Sequence, residues 1–173
     1  MLQYDKYVSP MGTLWLTGQD GMLTGLSFDR NFSEDAQRES FELAKRWLEN
    51  YFRGQPRKID FPMNPQGTAF QKLVWNLLLE IPYRQTRTYG QLAKQAAALL
   101  NKEKMSPQAV GQAVGRNPIA VIVPCHRCVG SDGTLTGYAY GLERKAWLLK
   151  HEQREWEEKK CGMQISEESK QSG

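Results

Sequence analysis

The chain has 173 residues, of which 40% are hydrophobic and 24% charged, and a formal net charge of +4 at pH 7. These values suit one or two compact, soluble domains with a real core. No apolar run approaches the roughly 20 residues of a membrane span, the N-terminus has no signal-peptide pattern, and three cysteines, an odd number, argue against a disulfide framework. The mild positive charge permits a nucleic-acid partner without demanding one.

Residues 13–17 and 22–28 partly alternate apolar with small or polar residues, which predicts a hairpin turning between Gly18 and Gly21. From Ser33 the pattern becomes helical. Ser33 suits an N-cap, Glu34 and Asp35 suit the positive helix end, and Phe41, Ala44, Leu48 and Tyr51 recur at helical spacing until Gly54. Residues 56–65 read as an extended linker restricted by Pro62 and Pro65. Thr68 with Gln71 is a capping-box pair opening a helix with the apolar stripe Phe70, Leu73, Val74, Leu77 and Leu78, which Pro82 ends. Thr88 with Gln91 opens a second helix from Tyr89 to about Leu100, and Ser106 followed by Pro107 starts a third. The last two form a helix-turn-helix candidate, a pairing also common in proteins that never touch DNA. The fold class is therefore α+β, with an N-terminal α+β domain over 1–62, a helix-rich domain over 63–153, and a charged tail over 154–173 expected to be disordered.

Chemistry concentrates in Ile122-Val123-Pro124-Cys125-His126-Arg127. An apolar run, read as a strand, delivers a thiol beside one of only two histidines to the mouth of a turn-rich loop. A thiol attacks carbon as thiolate, and a neighbouring imidazole is a usual means of activating it. The bland alternative is a cysteine serving as a small core residue. Cys125 and Cys128 also fit C-x-x-C, but without the βαβ surroundings of a redox motif, and His151 and Cys161 stand too isolated to complete a metal site. The third helix carries Ala109, Gly111, Ala113 and Gly115. Each mid-helix glycine costs roughly 1 kcal/mol relative to alanine, so the thin face implies either tight helix packing or close approach of a nucleic acid.

Further motifs surround this core: Gly67-Thr68-Ala69-Phe70-Gln71, Thr88-Tyr89-Gly90-Gln91-Leu92-Ala93, Gln108 through Asn117-Pro118, Gly137-Tyr138-Ala139, Leu142-Glu143-Arg144-Lys145 and Trp147 through Glu152. In this order, over roughly residues 67 to 152, the chain closely resembles the O6-alkylguanine-DNA alkyltransferases, or methylated-DNA–protein-cysteine methyltransferases. The resemblance implies a ribonuclease H-like N-terminal α/β domain and a winged-helix-like C-terminal domain with the helix-turn-helix. It implies a double-stranded DNA partner containing O6-alkylguanine, base flipping, and single-turnover transfer of the alkyl group to Cys125.

By the same resemblance, His126 acts as base through a bound water, Glu152 orients His126, Asn117 holds the loop before Cys125, and Tyr89 donates to N3 of the departing guanine. Val114, Val123, Cys128, Tyr138, Ala139 and Tyr140 are expected to form the pocket. Thr88, Gln108, Ala109, Gly111, Gln112, Arg116 and Arg127 are expected to contact DNA. No cofactor and no metal are expected, since residues 1–62 lack cysteine and histidine. A protein that is monomeric without DNA, free of membrane contact, and resident in a bacterial-type cytoplasm or a eukaryotic nucleus completes the expectation.

This chain departs from the family pattern in four places. Gln108 stands where the family has the arginine that fills the space left by the flipped base. The turn near Asn101 to Lys104 is longer and lysine-rich, which could add phosphate contacts. Tyr140 replaces a glycine and should narrow the pocket against bulky alkyl groups. Cys128 replaces a valine and could be inert or form a disulfide with Cys125. Two other readings compete: a damage sensor that binds alkylguanine without accepting the alkyl group, and a hydrolase or redox protein using Cys125 on a small substrate. Retention of Cys125, His126, Asn117 and Glu152 weighs against the first, and the helix-turn-helix against the second.

Overall fold

The computed structural model describes residues 2–154; the expected tail lies outside them except for Arg154. The chain begins with β1 (Gln3–Ser9), β2 (Gly12–Gln19) and β3 (Met22–Ser27), an antiparallel meander, and β4 (Gln37–Arg38) runs parallel to β1. The sheet order is β3-β2-β1-β4. Helices α1 (Glu42–Phe52), α2 (Ala69–Leu79), α3 (Tyr89–Leu99), α4 (Pro107–Gly115) and α5 (Leu142–Gln153) follow. A small parallel pair, β5 (Arg87–Thr88) and β6 (Cys128–Val129), and a 3-10 turn over Cys125–Arg127 complete the fold.

The hairpin forms where expected, with Asp20 and Gly21 both at positive φ in its turn. The α1 helix does not start at Ser33. Residues 37–39 instead run along β1, with Gln37 N donating to Leu2 O and Glu39 N to Tyr4 O. The helix takes its cap from outside itself. Asp5, on the inward face of β1, accepts from Phe41 N at 3.2 Å and pairs with Lys45 at 3.0 Å. Burial would raise the Asp5 carboxyl, but Lys45 and two backbone amides more than offset this and hold it below the ordinary value. Gly54 does end α1: at φ +75 it donates to Tyr51 O while Gln55 N reaches Asn50 O, a Schellman closure.

The edge strand β3 is covered by two distant segments. Leu23 exchanges hydrogen bonds with Pro62 and Asn64, and Leu26 with Pro118 and Ala120. The sheet and the helical region thereby share one hydrophobic core, in which Leu14, Leu16, Leu26, Leu48, Leu78, Leu92, Ile119 and Leu148 are fully buried.

The caps of α2, α3 and α4 are those the sequence predicts. Both capping boxes close reciprocally, and Ser106 Oγ accepts from Gln108 N and Ala109 N with Pro107 at the first helical position. Trp75 Nε1 donates to Ala113 O at 2.8 Å, which clamps α4 against α2 behind α3.

Candidate active site

The apolar run before Cys125 is not a strand. Only Ile119 makes a bridge, and residues 120–123 wind through tight turns in which Val121 takes φ +68. A β-branched residue in that region costs of order 1–3 kcal/mol and persists where the surroundings over-determine it. Here the side chain of Asn117 does so. Its Oδ1 accepts from Ile119 N at 3.0 Å, and its Nδ2 donates to Ile119 O at 3.2 Å and to Val123 O at 2.9 Å. The turn then presents Cys125, 6% exposed, in a short 3-10 turn anchored by β6 against β5.

Behind the thiol lies a buried polar cluster centred on Glu152 of α5. Its Oε2 meets His126 Nε2 at 2.5 Å and accepts from Tyr51 Oη at 2.5 Å, while Arg127 closes a two-pronged pair, Nε to Oε1 at 2.8 Å and Nη2 to Oε2 at 3.2 Å. Burial would raise the Glu152 carboxyl, but His126 and Arg127 outweigh it and bring it down to about 2. Burial pushes His126 the other way, below its ordinary value, against the pull of Glu152. The consistent state is a carboxylate whose charge is balanced by Arg127 and a neutral imidazole carrying its proton on Nε2. Among the described residues His126 Nδ1 has no hydrogen-bond partner, which leaves it an acceptor in this tautomer. Burial raises the Cys125 thiol above its ordinary value, opposed by the Asn117 amide and the charge of Lys145.

A cavity of about 120 Å³ opens over Cys125, far below the ~300–1,000 Å³ of drug-sized ligand sites. Tyr89, Gly111, Val114 and Gly115 form its helical wall, and residues 137–140 form the opposite loop. Of the expected pocket residues, Val114, Tyr138, Ala139 and Tyr140 line it. Val123 and Cys128 do not: both are buried behind the wall, and the Cys128 thiol is pushed up to about 12, chiefly by burial. Both Cys125 and Cys128 are free thiols. Tyr140 meets the edge of Phe28 at 5.4 Å, so the residue just after β3 backs the pocket loop, and the Arg144 guanidinium lies 4.2 Å over the same Phe28 ring.

Gln108, Gln112 and Arg116 project from the exposed side of α4, with Ala109 and Gly111 half-buried between them and Thr88 capping α3 nearby. The glycines of α4 are not required by internal packing. A Cβ at Gly115 would meet nothing within 4 Å, and one at Gly111 would sit at an ordinary 3.6 Å from the Tyr89 ring. Arg127 departs from the expected DNA face. It is 8% exposed, and beyond Glu152 its Nη1 donates to Ile81 O at 2.8 Å, so its fork is consumed within the fold.

Two buried residues were missed by sequence reasoning. Lys145 is fully buried and donates to the carbonyls of Cys128, Thr136 and Gly137 at 2.6, 3.0 and 3.1 Å, saturating all three ammonium hydrogens and fixing the pocket loop. Its signal was available: Lys145, Leu148 and Glu152 stand at i, i+3 and i+7, so a cation and an anion occupy core-facing positions of one helix. Tyr51 was read only as helical periodicity, and nothing local indicates that its hydroxyl is used.

Similarity to known proteins agrees with this arrangement. The family described as 6-O-methylguanine DNA methyltransferase matches in two parts, its ribonuclease-like domain over residues 2–65 and its DNA binding domain over residues 69–154. Methylated-DNA–protein-cysteine methyltransferases of Methanosarcina acetivorans and Mycolicibacterium paratuberculosis are 45% and 40% identical, across 87% and 89% of this chain and 98% and 94% of theirs. The crystal structure of Mycobacterium tuberculosis OGT in complex with DNA superposes with a TM-score of 0.78 at 41% identity, covering 87% of this chain and 92% of that one. With both halves matched, a shared α+β fold, and the thiol at the cavity floor, this chain belongs to the 6-O-methylguanine DNA methyltransferases.

Proposed function

We propose that the chain repairs O6-alkylguanine in double-stranded DNA by direct reversal, moving the alkyl group irreversibly onto Cys125 in a single turnover. The observation that carries this reading is the placement of Cys125 at the floor of a small cavity, next to a buried histidine whose Nδ1 has no hydrogen-bond partner among the described residues, under the exposed face of α4. The lesion must leave the base stack to reach that depth, at a cost of a few kcal/mol. The unneeded thinness of α4 at Gly111 and Gly115 supports close approach of a groove floor there, and the exposed Gln108 is the residue proposed to fill the vacated space, without adding charge.

In the reaction, His126 Nδ1 takes the thiol proton, through a bridging water, and the Cys125 thiolate attacks the alkyl carbon as its bond to O6 breaks. Glu152 steadies the imidazolium that forms. The electron pair leaves on guanine, and the Tyr89 hydroxyl, hydrogen-bonded to Thr136 O at 3.0 Å in the free protein, turns to N3 to offset that charge. Burial raises the Tyr89 phenol above its ordinary value, which keeps it a donor. Asn117 and Lys145 hold the two walls of the site. Residues 1–62 and 63–153 act as supporting and reacting domains, and the protein works where chromosomal DNA lies, in a bacterial- or archaeal-type cytoplasm.

Mass spectrometry after mixing the protein with a duplex carrying one O6-methylguanine tests the reading. One methyl gained on the Cys125 peptide, and none with Cys125→Ser or with unmodified duplex, is expected. Preferential binding of the lesion without transfer would make the protein a sensor and refute the proposal.

A further inference from the structure

Three side chains meet at Glu152: His126 and Arg127 belong to the helical region, and Tyr51 does not. Tyr51 lies on α1, beside the N-terminal sheet, and is fully buried. Its hydroxyl donates to Glu152 Oε2 at 2.5 Å and stands 3.5 Å from His126 Nε2. Its backbone carbonyl accepts from His151 Nε2 at 2.8 Å, so both ends of the residue are tied to α5. The ring stacks on Trp47 at 5.4 Å and meets Phe52 and Tyr83 edge-on, which leaves the phenol one orientation. Phenylalanine would fill the same volume. A hydroxyl withdrawn from water is unfavourable unless it is used, and here it is spent on the carboxylate that orients the base.

We propose that Tyr51 is a positioning residue for alkyl transfer: by holding Oε2 of Glu152 and sharing its charge, it fixes His126 as a neutral imidazole protonated on Nε2. This rests on the function proposed above and extends it, because it makes the sheet region a working part of the reaction centre. The groups facing His126 are Glu152, His151 and Lys145 from α5, Arg127 and Cys125 from its own turn, Tyr51 from α1, and Tyr83 behind Tyr51. Among these, Tyr51 is the neutral donor that competes with His126 for the same carboxylate oxygen. Without it more negative charge falls on His126, the imidazole binds a proton more readily, and less free base is present at neutral pH.

The test uses the full chain, Tyr51→Phe, in rapid-quench single-turnover assays with an O6-methylguanine duplex from pH 5.5 to 9. The limiting transfer rate at pH 7 should fall about tenfold or more, the scale of one hydrogen bond to a charged group. The acid limb of the profile should move to higher pH, and the DNA concentration for half-saturation should stay unchanged. In a Glu152→Gln background the same change should have little further effect. An unchanged rate and pH profile in folded Tyr51→Phe, or equal slowing in both backgrounds, overturns the proposal. If the variant does not fold, nitrogen NMR of His126 in the wild-type protein decides: a charged ring or an Nδ1–H tautomer at pH 7 overturns it. Wild-type protein that transfers no methyl overturns the underlying function as well, whereas wild-type transfer with an indifferent Tyr51→Phe removes only the role of Tyr51.

Discussion

Arg127 offers the sharpest test of the site's construction, because sequence reasoning assigned it to DNA and the structure spends it inside the protein. Substituting Arg127→Met keeps the apolar stem and removes three hydrogen bonds, two to Glu152 and one to Ile81 O. Among the described residues Glu152 Oε1 would then retain only Arg84 N, at 3.4 Å. Removing one partner of a buried ion pair costs about 3–5 kcal/mol, since the remaining charge stays desolvated. Against a total stability of roughly 5–15 kcal/mol this is a large share, and for a chain of this size it lowers Tm by about 10 °C. Urea unfolding at pH 7, with an unchanged m value, measures the loss directly. The double variant Arg127→Met/Glu152→Gln removes the stranded charge and should be more stable than the sum of the single losses. The reasoning is refuted if Arg127→Met costs less than about 1 kcal/mol while affinity for plain duplex falls and its salt slope shrinks by about one, the signature of a phosphate contact.

Two further outcomes are expected. Glu152 is held near 2 in the fold against an ordinary 4.5, so its contribution, about 3 kcal/mol by linkage, is complete above pH 4.5 and is lost as pH falls towards 2. His126, also lowered, adds loss in the same direction below its ordinary 6.5. The urea midpoint should therefore fall on acidification, and Glu152→Gln should flatten the portion below pH 4.5; a wild-type midpoint that rises instead contradicts both assignments. Tyr140→Gly should enlarge the cavity and raise transfer from O6-benzylguanine relative to O6-methylguanine by about tenfold or more, the discrimination one steric group gives in a pocket. An unchanged ratio in competition assays would mean that Tyr140 does not set the size limit.

What the sequence made legible was local. Thr68 with Gln71, Thr88 with Gln91, and Ser106 with Pro107 satisfy helix amides within three residues, so their meaning survives without tertiary knowledge. The start of α1 was misread because its cap, Asp5, stands 36 residues away on a strand whose inward face carries an acid where an apolar residue would have marked it. The run before Cys125 was misread as a strand because apolar composition marks burial and not conformation, and Asn117 folds that run into turns instead. Cys125 and His126 stood out as a motif, Asn117 and Glu152 were assigned only through the family resemblance, and the structure brings the four together. Tyr51 and the inward turn of Arg127 did not, because each is defined by partners distant in sequence, while Lys145 was marked only by its core-facing spacing on α5.

The burial of the nucleophile fits the single use proposed for it. A cysteine kept as a standing thiolate would be exposed to every electrophile and oxidant before a lesion arrived, and alkylation at the wrong moment would consume the molecule. Here burial raises the Cys125 thiol above its ordinary value and lowers the imidazole beside it, so both resting states favour the uncharged forms. That division requires His126, the proposed base, to keep one fixed tautomer with Nδ1 turned toward the thiol side. A lone carboxylate could hold the tautomer but would draw the proton onto the ring. Surrounding Glu152 with Arg127 and Tyr51 lets it orient the imidazole without charging it. The carboxylate, guanidinium and phenol thus work as one device, assembled from α5, the reactive turn and α1, and the contact between the sheet region and the helices is part of the chemistry as well as of the core.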